Sequence, residues 1–496
     1  MNQDPIYAVI DLGSSEIRGM IAYKLDKDRV SPIAYSSVSA ENAIRYGCIY
    51  NLNKASEKIA TIVKELNEAL PDNYEIKKLY IGVGGQSLHS HPHRISLSMD
   101  SPEGEEITQE HLDRIEQELQ TLHVEGKELL HVARPQYLVN GKIEKYPKGI
   151  HCRSFEACYQ LIMARNTVLR NIKTVVEERL GLELAQVLVS PICEAEVTLI
   201  DEEKTLGIAY VNIGASCTSV VIYKRDLLMH LRVLPMGGKN ITQDLTALRI
   251  LPAEAEELKI HHAVLKNPSE KNITITLPSA DGLSERTVSS TDIYCYVYAR
   301  MKEITANYLS IIDRFNETNS LGRGIVISGG GAQLNQYKEQ MHENRQYVRF
   351  AEVRPDKVEY NAVCSNPSLR TCIGLAYAAT KTCIGVEHTD LDSLFNRDYT
   401  LTGTENETLF PSQSQEQSQE STEINSASLH RDFSNSSNQE PADFKQETVK
   451  PSHTDRDESH KDQPHKKKKK QNSWRARFTE LVDNIFDDDN SYDEQR

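Results

Sequence analysis

The 496-residue chain has a deficit of positive charge, no paired cysteine motif and no long hydrophobic run. Its formal net charge of −15 opposes general nucleic-acid binding, because phosphates would be repelled by most of the surface. The nine cysteines include no C-x-x-C pair, so neither a zinc site nor a thioredoxin-like motif is indicated, and reduced thiols in the cytosol are expected. The sequence predicts no membrane-spanning helix and no signal peptide.

Composition divides the chain into an ordered body, a polar linker and a short C-terminal segment. Up to about residue 395, apolar strand-like runs alternate with amphipathic helical patterns, as in an α/β protein. Among them, the sequence predicts a strand at 6–12 and helices at 53–70 and 164–180. Residues 398–465 are rich in Ser, Gln, Asn and Glu and carry 14 acidic against five basic residues. We expect a disordered linker there, with a span of about 40–50 Å as a flexible coil. A lysine cluster follows abruptly, within HKKKKK (465–470).

Two glycine hairpins, about 200 residues apart, resemble each other. YAVIDLGSSEIRGMIA (7–22) and IAYVNIGASCTSVVIY (208–223) each consist of an apolar strand, a glycine turn with small hydroxyl residues and a second apolar strand. Backbone N–H groups in such turns form a nest for anions. One hairpin of this kind is a common turn. Its recurrence predicts two similar lobes that face each other.

Side chains of the first hairpin suit a phosphate ligand. Asp11, at the end of its strand, is placed to hold a Mg²⁺-bound water. Arg18, on the return strand, is placed to reach a phosphate.

Further glycine segments follow in the second half of the body. PMGGKN (235–240) precedes a helix expected to start near Ile241, and GIVISGGGAQL (324–334) runs from a strand into three glycines. A strand-to-helix turn of this kind can wrap a nucleotide, although no Walker A pattern is present. Glu256 and Lys259 share one helical face, where they form either a solvated ion pair or a grip on purine and ribose.

These motifs carry a family resemblance. DLGSSEIRG, VNIGASCTS, LPMGGKNIT, AEELKIHH and VISGGGAQL occur in the order of the actin, Hsp70 and sugar-kinase superfamily. Within it, the chain resembles the bacterial cell-division family FtsA, over about 6–385 and the C-terminal tail. The most specific part is 80–165, which is similar to that family's extra subdomain. The resemblance implies an α/β, actin-like, two-lobed ATPase fold with an FtsA-type extra subdomain, a disordered linker and a C-terminal amphipathic helix.

The resemblance also implies domain boundaries. They are 1–83 for the first lobe, with chain returns at 166–205 and 371–395; 84–165 for the inserted subdomain; 206–245 and 321–370 for the core of the second lobe; 246–320 for its small subdomain; 396–465 for the acidic linker; 466–486 for the basic cluster and membrane-targeting helix; and 487–496 for an acidic tail.

ATP and Mg²⁺ in the cleft between the lobes are the cofactors that the resemblance implies. The first phosphate loop would contain Asp11, Gly13, Ser14, Ser15 and Arg18, with Mg²⁺ held by Asp11 through water. The remaining nucleotide-binding residues would be Asn212, Gly214, Ala215 and Ser216 in the second loop, Gly238, Lys239, Glu256 and Lys259 toward ribose and base, and Gly329, Gly330, Gly331 and Ala332 around the adenosine.

One departure from the family pattern affects the chemistry. Many relatives have an Asp-x-Gly-Gly-Gly second loop, whereas this chain has Asn212, which cannot supply a second carboxylate to metal and water. Ser190-Pro191 also falls near the place where several hydrolysing relatives have Glu-Pro, and Glu194 lies one turn further on. We therefore expect ATP binding with weak or absent hydrolysis. No catalytic residue is assigned.

The C-terminal segment predicts an amphipathic helix that contacts a membrane. At 100° per residue, six large apolar side chains fall within a 140° arc, with acidic residues opposite. The preceding lysines would each attract anionic lipid by about 1 kcal/mol. Docking on the chain's own body or on a partner protein is the alternative. The residues concerned are Lys466, Lys467, Lys468, Lys469, Lys470, Trp474, Phe478, Leu481, Val482, Ile485 and Phe486.

The resemblance therefore implies an ATP-binding, actin-like polymer subunit of cell division. It would anchor the tubulin-like FtsZ ring to the cytoplasmic side of the cytoplasmic (inner) membrane at the division site, as a peripheral protein, and recruit later division proteins. Expected partners are FtsZ, other copies of the chain, an anionic membrane surface and later division proteins, with no nucleic acid. The alternative is another actin-superfamily ATPase or a small-molecule kinase at the membrane surface. An Hsp70-like chaperone would need a peptide-binding domain in place of the linker, and an MreB-like protein would lack both insert and tail.

Overall fold

A computed structural model describes residues 5–25, 29–71, 74–99, 101–267, 272–278, 285–318, 320–344, 347–359 and 362–386. The predicted linker, lysine cluster, amphipathic helix and acidic tail lie outside these residues. Within them, no helix is both long and apolar enough to cross a membrane.

The described elements alternate between strands and helices along the chain. The strands are β1 (Ile6–Leu12), β2 (Glu16–Lys24), β3 (Val30–Ser39), β4 (Ile44–Arg45), β5 (Cys48–Ile49), β6 (Tyr74–Ile76), β7 (Lys78–Val83), β8 (His89–Ser98), β9 (Glu105–Glu106), β10 (Lys127–Val132), β11 (Gln136–Val139), β12 (Lys142–Glu144), β13 (His151–Cys152), β14 (Ser154–Arg165), β15 (Glu183–Val189), β16 (Ile208–Ile213), β17 (Thr218–Lys224), β18 (Leu227–Leu234), β19 (Thr274–Pro278), β20 (Glu285–Ser289), β21 (Ile325–Ser328), β22 (Val348–Phe350) and β23 (Ile384–Val386).

The α-helices are α1 (Leu52–Glu68), α2 (Gln109–Gln120), α3 (Asn166–Lys173), α4 (Ser190–Thr198), α5 (Asp201–Leu206), α6 (Gly238–Leu245), α7 (Pro252–His262), α8 (Ser290–Thr318), α9 (Tyr337–Asn344) and α10 (Arg370–Ala378). A π-helical turn, Thr174–Arg179, continues α3, and four short 3₁₀ turns occur at Thr246–Leu248, Gly330–Gln333, Ala362–Ser365 and Pro367–Leu369.

Two sheets share one topology, as the repeated hairpin predicts. The first runs β3-β2-β1-β7-β15, and the core of the second runs β18-β17-β16-β21-β22. In both, the first three strands are antiparallel, and the two further strands run parallel to the central one, the first pairing with it and the second pairing with the first. β1 and β16 are apolar and almost wholly buried, because helices cover both faces of such sheets. Each lobe thus centres on an equivalent buried strand.

Helix α1 covers the first sheet by burying one regular stripe. Asn51 caps its N-terminus by accepting the N–H of Lys54. The apolar residues recur at helical spacing and pack against β2 and β3. Gly19 lets the helix come close, since a Cβ there would lie 2.3 Å from Ile62 Cγ2. The buried stripe consists of Ala55, Ile59, Ile62 and Leu66.

Helices α4 and α10 pack directly on each other. Gly374 of α10 makes this contact possible, because a Cβ on it would lie 2.4 Å from the carbonyl oxygen of Cys193 in α4. Residue Gly82 of β7 likewise leaves room for Ser190, whose Oγ would be 2.6 Å from an added Cβ. The start of α4 is therefore held against the first sheet with little space to spare.

The inserted strands join the second sheet. In the order β12-β11-β14-β8, the strands of the insert continue the second sheet beyond β18, so one sheet extends from the insert into the second lobe. Strand β10 pairs with β14 outside this order. The junction is narrow: His89 pairs with Arg232, and Ser90 Oγ accepts the N–H of Leu231 at 2.9 Å. The insert also has its own core, centred on Phe155 and covered by α2. It is thus a separately packed layer on a shared sheet.

Candidate functional site: the cleft between the lobes

Helix α4 links equivalent positions of the two lobes. Ser190, its first residue, donates its hydroxyl to Asp11 Oδ1 at the end of β1, over 3.0 Å. One turn later, Glu194 Oε2 accepts Asn212 Nδ2 from the end of β16, over 2.6 Å. Residues four apart lie on the same helical face. The two hairpins that resemble each other in sequence therefore meet one face of one helix.

Asp11 lies in an environment that disfavours its charge. Burial of the carboxyl raises its pKa to about 6, and Glu194 adds to the rise. Arg18, which faces Asp11 across the β1–β2 hairpin, and the hydroxyl of Ser190 oppose it. Arg18 also forms an ion pair with Glu16, which weakens the effect of its charge on Asp11. A ligand-bound cation near Asp11 would relieve the remaining cost.

Glu194 accepts hydrogen bonds from three side chains at the bottom of this cleft. It is only 2% exposed. Besides Asn212, it accepts the hydroxyls of Ser328 at 2.5 Å and Thr371 at 3.1 Å. These three donors come from the ends of β16 and β21 and from α10. The sequence places Glu194 only as a neighbour of Ser190-Pro191, and its four-residue spacing from Ser190 was the available signal for a role in the cleft.

The first loop is held rigidly by its surroundings. Ser14 is buried and accepts the N–H of Gly47 at 2.9 Å, while the carbonyl of Ser15 accepts the N–H of Ala40 at 2.8 Å. Gly13 has no room for a side chain, since a Cβ would lie 2.3 Å from the carbonyl oxygen of Glu16. The turn is therefore fixed before any ligand arrives.

Lys239 of the second lobe reaches this first loop. Its Nζ donates to the carbonyl oxygen of Ser14 at 2.6 Å. Burial lowers its pKa, and Lys259 lowers it further, against the opposing effect of Glu256. Lys239 is exposed to solvent, and its side chain reaches across the cleft. It therefore places a positive charge between the two loops, where an anionic ligand would meet it.

The second loop is packed against the start of α6. The N–H of Gly238 donates to Gly214 O at 2.9 Å, and that of Lys239 donates to Ala215 O at 2.7 Å. Gly237 allows this approach, because a Cβ would lie 2.3 Å from Gly214 O. The helix begins at Gly238 and not near Ile241, since these amides bond to the loop. Ser216 is half-buried in the same turn.

The glycine run after β21 lies directly beside the second loop. Gly329 has φ +92°, a conformation that favours glycine, and a Cβ on it would lie 2.3 Å from Ile213 O. Gly330 is exposed with no atom within 4 Å of its Cβ position, whereas Gly331 and Ala332 are buried. A 3₁₀ turn forms where the sequence suggests the start of a helix.

Glu256 and Lys259 do form an ion pair along α7, with Lys259 Nζ 2.7 Å from Oε1. The lysine is also tied to α6, donating to Thr242 Oγ1 at 3.0 Å and to Gly238 O at 3.4 Å. Its side chain is 12% exposed, against 41% for the glutamate. The pair is therefore anchored beside the start of α6, with the carboxylate toward solvent.

The residues at the cleft fit a nucleotide that brings its own cation. No cluster of three His, Cys, Asp or Glu side chains able to hold a metal occurs among the residues that the structure describes. Mg²⁺ bound through phosphates keeps several waters and needs only one or two carboxylates. Asp11 supplies one, at the loop where phosphate would sit. The predicted membrane residues 466–486 lie outside the described part of the chain.

Comparison with protein families gives two matches. A model described as "Cell division protein FtsA" matches residues 209–374, which contain the second loop, α6, α7 and the glycine run. A model for the SHS2 domain inserted in that protein matches residues 85–163.

Curated relatives resemble the chain over most of its length. It is 45% identical over 393 residues to the cell division protein FtsA of Porphyromonas gingivalis, covering 79% of this chain and 82% of the relative. The FtsA of Bacillus subtilis is 27% identical over 345 residues, covering 67% and 75%. Among solved structures, the PilM–PilN type IV pilus biogenesis complex matches with TM-score 0.51 at 14% identity, covering 76% of this chain and 98% of that one, a likeness of fold.

Proposed function

This chain belongs to the FtsA family of cell division proteins, and on that premise we propose that it binds Mg²⁺-ATP in the cleft between its lobes. The actin-like fold expected from the sequence is confirmed. The two hairpins would receive the phosphates, and Lys239 would leave the carbonyl of Ser14 to pair with them. Glu256 and Lys259 would face the ribose and base, and Gly329–Ala332 the adenosine.

One observation carries this proposal: α4 brings the ends of β1 and β16 together, through Ser190 and Glu194. Two rigid anion-accepting turns that face each other across a lysine form a site for a polyphosphate. Bound Mg²⁺ would neutralise phosphate charge, with Asp11 holding one of its waters. Asn212 offers no second carboxylate, so we infer slow hydrolysis or none.

ATP binding can be tested by titrating the full chain with a fluorescent ATP analogue in Mg²⁺ buffer. We expect saturable binding that unlabelled ATP displaces. Lys239→Ala should weaken it about 10-fold or more, because a charge-assisted contact is lost. Lys64→Ala, on the exposed face of α1, is the matched control and should bind as the unaltered chain does. Absence of saturable binding, or equal binding by the Lys239 variant, would contradict the proposal.

We further propose that the chain is a peripheral protein on the cytoplasmic side of the division-site membrane. Residues 466–470 would attract anionic lipid, and the apolar arc from Trp474 to Phe486 would enter the interface. A single helix of this kind gives reversible attachment, whereas a polymer of many copies is held by all its helices at once. The chain would in this way anchor an FtsZ ring, with FtsZ bound within about 246–320, and recruit later division proteins.

A further inference from the structure

Asn212 and Glu194 form a pair of fixed polarity. The amide donates and the carboxylate accepts, over 2.6 Å. Glu194 also accepts the hydroxyls of Ser328 and Thr371, so each of these three side chains acts as a donor to it. Because the carboxylate is buried, a partner that cannot donate would leave it with uncompensated charge.

The contact with Glu194 therefore explains why position 212 is occupied by asparagine and not by aspartate. An aspartate in its place would set two carboxylates about 2.6 Å apart at the floor of the cleft, and two like charges at that distance cannot both ionise without a large cost. The asparagine side chain also has close neighbours in the glycine run: its Oδ1 would lie 2.6 Å from a Cβ on Gly329. A change at position 212 would thus reach both the second loop and the turn after β21.

We propose that Glu194 is a positioning residue for the second phosphate loop, and that it requires an amide at position 212 because only a donor can complete its contacts. The carboxylate of this pair then lies on α4, beneath the loop, and not at the strand end beside the phosphates. This inference rests on the proposed ATP site and adds to it the residue that sets the loop's position and charge.

The pairing can be inverted without changing its shape. In the double variant Asn212→Asp, Glu194→Gln, the donor moves to α4 and the acceptor to β16, and the two hydroxyls of Ser328 and Thr371 can rotate to suit. Asn240→Asp is a matched control. It adds the same charge near the site, but Asn240 Oδ1 already acts as an acceptor, from the N–H of Gly237 at 2.8 Å.

The experiment measures ATP and adenosine affinity for the full chain and for the single and double variants. Asn212→Asp should weaken ATP binding at least about 10-fold, and adenosine binding less than about twofold, because the loop faces phosphate. Glu194→Gln alone should lose about threefold. Combined with Asn212→Asp, it should restore ATP affinity to within about threefold of the unaltered chain, yet it should not improve Asn240→Asp.

Two outcomes would overturn the inference. One is a double variant that binds ATP no better than Asn212→Asp; the other is equal loss of ATP and adenosine affinity. If the unaltered chain binds no ATP, the proposed function fails instead. Urea unfolding midpoints of the same variants then decide the pairing, with rescue of Asn212→Asp by Glu194→Gln supporting it and additive losses refuting it.

Discussion

Replacing Asp11 by asparagine should stabilise the ligand-free chain while weakening its binding of Mg²⁺-ATP. Burial raises the pKa of Asp11 from 3.8 to about 6. Between pH 3.8 and about pH 6, the folded chain therefore holds the proton of Asp11 more tightly than the unfolded chain does. The contribution of this group to stability is therefore present below pH 4 and is lost as the pH rises through 6.

The size of the effect follows from the pKa values. A rise from 3.8 to about 6 corresponds to about 3 kcal/mol in full. Since the side chain is partly exposed to solvent, screening reduces this to about 1–2 kcal/mol. Asparagine keeps an oxygen that can accept the Ser190 hydroxyl and carries no charge. We expect Asp11→Asn to be more stable than the unaltered chain by this amount at pH 8.

Urea unfolding at pH 8, 6, 5 and 4 is the assay. The advantage of Asp11→Asn should shrink between pH 6 and 4 and approach zero at the lowest value. Asp113→Asn, on the exposed face of α2, is the control and should be neutral throughout. Added Mg²⁺-ATP should stabilise the unaltered chain more than the variant. A less stable Asp11→Asn at pH 8, or a difference independent of pH, would refute the reasoning.

Two further predictions concern other contacts. Gly237→Ala should lower ATP affinity about 10-fold and stability by about 1–3 kcal/mol, because its Cβ would meet Gly214 O. Gly330→Ala, with open space around it, should leave stability unchanged in a thermal melt. Burial lowers the pKa of His230 to about 4 at the junction with Ser90, so stability should fall as the pH drops from 6.5 toward 4. In urea unfolding across this pH range, His230→Gln should remove up to about 3 kcal/mol of that acid sensitivity.

Much of the architecture could be predicted because local sequence patterns determine it. The strand expected at 6–12 coincides with β1, and the helix expected at 53–70 with α1 to within two residues. The repeated hairpin predicted two similar lobes, and the sheets share one strand order. The helix expected at 164–180 divides into α3 and a π-helical turn, a change of hydrogen-bond register that side-chain periodicity does not reveal.

The features that the sequence does not predict depend on contacts between residues that are distant along the chain. Glu194 meets Ser328 across 134 positions and Thr371 across 177, so no local pattern marks it as the centre of the cleft. Similarly, the junction of β8 with β18 joins the insert to the second lobe across about 140 positions. Asn212 was recognisable as a departure from the family pattern. The physical reason for the asparagine lies in its contact with Glu194 on α4, 18 positions away.

We propose that many assembled copies hold this protein on a membrane through their C-terminal helices. Sedimentation with vesicles rich in anionic lipid, with and without Mg²⁺-ATP, tests it most directly when the full chain is compared with a truncation at residue 465. We expect the full chain to pellet with the vesicles, more steeply with protein concentration when ATP is present and less at high salt, and the truncated chain to stay in the supernatant. Equal pelleting of the truncated chain would contradict it.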